Sequence, residues 1–124
     1  KFHGVFSWDA IHHNTIGNIK KSVDITHECL EEKGLLLVNL LSTKSGSHNK
    51  GIEIEKNTFI NDDGDEAGVP HHYFDEKGVR ELFKGWKFLC LSEQVNTYIE
   101  TEQEFYRTNP FPYTKWNVIV QRIH

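Results

Sequence analysis

Two short stretches of this chain are crowded with imidazoles: His12-His13, and His71-His72 followed by Tyr73. An imidazole titrates near neutrality, so His13 is a candidate general base and His12 a candidate hydrogen-bonding group for a bound molecule. The bland reading is a pair at a helix start, one ring against a sheet and the other in water. His71, His72 and Tyr73 stand just before a short helix and are candidates for substrate contact, against a plainer role in capping or packing. Adjacent histidines do not share a face, and neither His-x-x-x-His nor cysteine-rich spacing is present, so no metal is expected. Asn61-Asp62-Asp63-Gly64-Asp65-Glu66 reads as an exposed turn. Its spacing is wrong for a calcium loop, which also needs a distal bidentate carboxylate. No catalytic triad is evident.

The remaining composition narrows the class. A chain of 124 residues with 37% hydrophobic and 26% charged residues suits one soluble globular domain. Its formal net charge of −4 argues against a general electrostatic grip on nucleic acid or on an anionic membrane. No apolar run approaches the ~20 residues of a membrane span. Cys29 and Cys90 are isolated, neither in a Cys-x-x-Cys pattern, which fits buried free thiols in a reducing cytoplasm.

The elements that would position these groups alternate between strand and helix. Residues 2 to 7 read as a buried strand, with Phe2, Val5 and Phe6 apolar. From Thr15 to Lys33, Ile16, Ile19, Val23 and Leu30 follow one helical face, with Asn14 or Thr15 as cap and Gly34 as stop. Leu35 to Leu41 is an almost unbroken apolar run, as expected of a strand covered on both faces in a parallel sheet. Gly51 to Ile60 alternates like a short strand or lid. Asp75 caps a short helix carrying Val79, Leu82 and Phe83, which Gly85 ends. Trp86 to Leu91 and Trp116 to Arg122 are the last two strands. Between them lies an aromatic-rich connection with Tyr98, Phe105, Tyr106, Phe111 and Tyr113.

The order and local wording of these segments resemble class I S-adenosylmethionine-dependent methyltransferases. Phe2-His3-Gly4-Val5-Phe6-Ser7-Trp8-Asp9-Ala10-Ile11-His12-His13 is similar to that family's fourth strand and following turn. Cys29 to Leu37 is similar to its helix end and fifth strand, His72 to Val79 to the start of the helix before strand six, and Trp116 to Arg122 to the closing antiparallel strand. His3 stands where the family usually has Asp, and Glu32-Lys33-Gly34 lacks the usual Pro-Gly-Gly. The glycine-rich loop after strand one and the acidic ribose ligand after strand two are not in this sequence.

The resemblance implies a partial doubly wound, Rossmann-like α/β sheet, mostly parallel with a final antiparallel strand. Residues 1 to 124 would then be the C-terminal half of the methyltransferase domain, without the N-terminal cofactor-binding half. It further implies S-adenosylmethionine as cofactor, met at its methionine end by Ser7, Trp8, Asp9 and His12, with Trp8 covering the sulfonium as an aromatic wall. His71, His72, Tyr73, Tyr106 and Tyr113 would face a small-molecule methyl acceptor. Methyl transfer is a direct displacement that needs alignment and a proton acceptor, with no obligatory nucleophile. A strand at residues 2 to 7 with a neighbour on one side also leaves a second reading: a non-catalytic binding module that self-associates through that strand. A third is another doubly wound enzyme sharing only the architecture.

Overall fold

In the computed structural model, which describes residues 1–95 and 113–124, the apolar run in the middle of the sequence becomes the axis of the fold. Strand β1 (Phe2–Ser7) leads into helix α1 (Ile16–Cys29), and the chain returns as the long strand β2 (Leu30–Ser42). Strands β3 (Ile52–Glu55), β4 (Thr58–Ile60) and β5 (His71–Phe74) follow, then helix α2 (Glu76–Leu82) and strands β6 (Lys87–Val95) and β7 (Thr114–Gln121).

One flank of β2 pairs antiparallel with β7 from Leu35 to Leu41. Two strands share its other flank. Parallel β1 occupies it as far as the Ser7–Val38 pair, and β5 continues at Leu41 and Ser42. β6 pairs with β7 at one side of the sheet, and the β3–β4 hairpin extends it beyond β5. The expected mostly parallel sheet is therefore corrected. Among the described residues two pairings are parallel and four are antiparallel. The reason is topological: β7 runs against both its neighbours, and the tight β3–β4 turn at Asn57 can join only antiparallel strands.

Packing explains the remaining boundaries. Ile19 and Val23 of α1 pack against Leu36, Val38, Val118 and Val120 from the sheet centre in one buried cluster. Each such side chain contributes on the order of 1.5–3 kcal/mol when withdrawn from water. The helix expected to reach Lys33 ends instead at Cys29. Leu30 is fully buried in extended conformation, and the Arg122 guanidinium donates to the His27 carbonyl at 2.8 Å and to the Leu30 carbonyl, satisfying helix-end acceptors. The strand then bulges at Lys33, which takes a positive φ of 66°, and Gly34, where a Cβ would stand 2.8 Å from the Glu31 carbonyl oxygen. Asp75 caps α2 as expected, its carboxylate accepting from the Gly78 amide at 2.7 Å. The first strand departs from its reading as buried: Phe2 and Phe6 are 61% and 68% exposed. Only β2 pairs with it among the described residues.

Candidate functional site

The place where β1 ends and β5 begins beside the same strand is where the sequence's scattered polar groups meet. After Ser7 the chain turns at Asp9, which takes a positive φ of 53°. Asn39, buried toward the C-terminal end of β2, holds that turn: its side-chain oxygen accepts from the Asp9 amide at 2.6 Å and its nitrogen donates to the Asp9 carboxylate at 2.7 Å. Lys115 of β7 donates to the same carboxylate oxygen at 2.5 Å. Burial would raise the Asp9 pKa, but the hydrogen bonds from Lys115 and Asn39 outweigh it and hold the group below its ordinary value. Asp9 is thus an ionised anchor whose oxygen is already engaged.

The turn then lays His12 and His13 against β5. The His72 amide donates to the His12 carbonyl at 2.9 Å, which ties the turn to the strand and fixes both histidine pairs as neighbours. The ring centroids of His13 and His71 lie 4.6 Å apart, and those of His12 and His13 4.4 Å apart. His12 is 3% exposed and its Nδ1 has no hydrogen-bond partner among the described residues. Burial, with the neighbouring His13 and Lys115 adding to it, pushes its pKa down to about 3. Burial and His71 also lower that of His13, which favours neutral imidazole.

Glu66 joins them from the acidic turn. Its carboxylate bonds to His71 Nε2 and lies 3.5 Å from His13 Nε2. His13, Glu66 and His71 place one donor atom each within 4.8 Å of one another, close enough that the three could hold a metal ion.

The other expected residues take distinct places. Trp8 is 49% exposed and stacks on Phe6 at a centroid distance of 5.7 Å, so one aromatic wall stands open beside the turn. Ser7 and His13 line a depression of about 300 Å³ between the turn and α1. His72 is buried, and its Nδ1 meets the Thr58 hydroxyl at 2.6 Å while that hydroxyl donates to Glu55 at 2.7 Å. Burial lowers its pKa as well, the Glu55 carboxylate only partly offsetting this. Tyr73 is buried with its hydroxyl donated to Ser47 at 2.9 Å, and burial raises its pKa. Tyr113 packs on the Leu41, Phe59 and Tyr73 cluster, beneath the Lys115 ammonium. Tyr106, with Tyr98, Phe105 and Phe111, falls outside the described residues.

Sequence reasoning passed over Asn39, Lys115 and Glu55, and read Glu66 only as part of an exposed acidic turn. Asn39 did leave a signal, as the one amide in an apolar run. The acidic stretch did not reveal that Glu66 meets His13 and His71, because that depends on a tertiary meeting of two loops.

The chain matches no protein-family profile, and no curated protein resembles it in sequence. Solved structures do match. A SAM-dependent methyltransferase from Methanosarcina mazei superposes over 98% of this chain with a TM-score of 0.70 and 12% identity, using 59% of its own length. A protein studied for the conversion of a disulfide bond into a thioacetal group during echinomycin biosynthesis covers the same 98% at a TM-score of 0.61 and 14% identity. This chain corresponds to 48% of that second one. The fold is thus methyltransferase-like, a mixed α/β open sheet, and the chain spans about half the length of the proteins it matches. No helix among the described residues is long and apolar enough to cross a membrane.

Proposed function

We propose that this chain forms the acceptor-side half of a S-adenosylmethionine-dependent methyltransferase, corresponding to that domain from its fourth strand onward. The observation that carries the reading is the superposition of 98% of the chain on a SAM-dependent methyltransferase at a TM-score of 0.70. It is supported by the order of β1, β2, β7 and β6 across the sheet, which sets the Ser7-Trp8-Asp9 turn at the carboxyl end of a parallel strand. Ligands of such sheets bind beyond those ends.

The residues present fit one side of the cofactor. Trp8 offers an open ring face to a sulfonium, Ser7 and the backbone of the Asp9 turn offer polar contacts, and His12 lies behind them. Bound there, the cofactor supplies an activated methyl group. Asp9 acts as a positioning residue, since its carboxylate is held by Asn39 and Lys115. His13, kept neutral, accepts a proton from a small-molecule acceptor. His71, His72, Tyr73, Tyr106 and Tyr113 shape the acceptor side. A cytoplasmic site of action belongs to the same reading, supported by the two free cysteines.

The test uses the longest natural polypeptide that contains this chain, compared with the 124-residue chain alone. Calorimetry with S-adenosylmethionine and transfer of a radiolabelled methyl group to a panel of small acceptors are measured on both. Micromolar binding by the longer protein, with binding at least tenfold weaker by the short chain, is expected. No cofactor binding by the longer protein would refute the assignment. Micromolar binding by the short chain would refute the half-site, because roughly −8 kcal/mol would then come from one wall. The exposed Phe2, Phe6 and Trp8 favour a second reading, a non-catalytic module that pairs through β1.

A further inference from the structure

We propose that His13, Glu66 and His71 form a binding site for a divalent transition-metal ion of the zinc class, a state in which the ion holds the His13 Nε2 lone pair and His13 no longer serves as a proton acceptor. The first support is convergence. The three donors come from the turn after β1, the acidic loop and the start of β5, yet lie within 4.8 Å of one another. Bonds of ~2.0–2.1 Å at tetrahedral angles place donor atoms roughly 3.3 Å apart. His13 Nε2 and the Glu66 oxygen are 3.5 Å apart, so that edge is already close to the needed spacing, while His71 Nε2 and the same oxygen are in direct contact and would have to part to admit the ion.

The second support is the tautomer of His71. Its Nδ1 lies 2.9 Å from the Val69 carbonyl oxygen. A carbonyl only accepts, so Nδ1 carries a proton. In the neutral tautomer Nε2 would present a lone pair to the Glu66 oxygen it contacts, so that contact needs a proton or a metal ion between the two atoms. Two lone pairs facing each other repel unless a positive centre lies between them. A histidine that donates its other ring nitrogen to a backbone carbonyl is also the usual arrangement of a metal ligand, because that bond fixes the ring and raises its basicity.

Two histidines and one carboxylate leave a fourth position open, which water or an anionic ligand can take. Glu66 is half-exposed, so the ion has a path from solvent. Binding there would also clamp the acidic loop onto the turn that carries His12 and His13.

The competing arrangement is a simple ion pair, with a proton on Nε2 in place of the metal. Titration of the tag-free, chelator-treated 124-residue chain with zinc chloride separates the two, and cobalt(II) in place of zinc gives a visible absorption that reports coordination geometry. One equivalent of zinc should bind, and cobalt should give four-coordinate bands. His13→Gln and Glu66→Gln, checked for native circular dichroism, should each weaken zinc binding at least tenfold. His3→Gln, at a position 92% exposed in its side chain, should leave it unchanged. A tenfold loss in either site variant supports the site. No saturable binding, or binding untouched by both variants, overturns it and leaves the ion pair.

Discussion

Asn39 uses both ends of its side-chain amide on Asp9, and it does so from within the apolar run Leu35 to Leu41 of β2. A buried amide is tolerated there only because it is satisfied; unpaired, it would cost more than the hydrogen bonds contribute. Asn39→Ala leaves the Asp9 amide without its acceptor and removes one donor from the carboxylate. Unfolding in urea should show a loss of about 1–3 kcal/mol. Asn39→Asp should cost more, since it sets a second carboxylate against the first. A change in the alanine variant below about 0.5 kcal/mol would mean that water replaces the amide without cost, and that the turn does not depend on β2.

At the scale of elements, α1 starts without an acidic residue in its first turn, and the capping threonine makes no side-chain bond. Its anion comes from elsewhere in the sequence. Glu55 of β3 accepts from the Ile16 amide at 2.7 Å and from the Thr58 hydroxyl at 2.7 Å. Burial would raise the Glu55 pKa, but these two hydrogen bonds outweigh it and the net shift is downward. A carboxylate with a lowered folded pKa contributes stability that is full above its ordinary value of 4.5 and is lost as the pH falls below it. Glu55→Gln should therefore cost about 1 kcal/mol at pH 7, from the lost charge at a helix N-terminus. It should also flatten the fall in stability between roughly pH 5 and 3 relative to the parent. Equal slopes in the two proteins would show that Glu55 does not carry that acid sensitivity.

The same element shows what local sequence could reveal. The helical face of Ile19 and Val23, the apolar run of β2 and the Asp75 cap were legible because each signal lies within one element. The end of α1 was misplaced because its periodicity continues smoothly into Leu30, and only the Arg122 bonds from the far end of the chain show where it stops. The antiparallel pairing of the β3–β4 hairpin was illegible for a similar reason. A short alternating run such as Ile52 to Phe59 does not say which strand it will join. Among site residues, the histidine pairs announced themselves by type, while their meeting with each other and with Glu66 depended on β1 and β5 sharing one flank of β2.

Across the whole molecule the two faces of the sheet's β1 side are unequal. β1 is bonded along one flank only among the described residues, and Phe2, Phe6 and Trp8 project into solvent beside the open flank. An unpaired strand edge with exposed aromatic side chains is a template for another strand, and proteins that remain monomeric usually blunt such edges with charge, proline or a covering element. Between Gly4 and Ser7 this strand carries neither a charged residue nor a proline. The 124-residue chain on its own should therefore self-associate through β1, by edge pairing about a twofold axis that stacks the aromatics of the two copies. Sedimentation velocity from low to high micromolar concentration should show a concentration-dependent dimer. Phe6→Lys, at a position 68% exposed, adds charge to the edge without touching the core and should leave the chain monomeric with unchanged thermal unfolding of the monomer. The reading loses its basis if the parent chain stays monomeric throughout that range. It also loses it if Phe6→Lys dimerises as well as the parent, because the contact would then lie on another face.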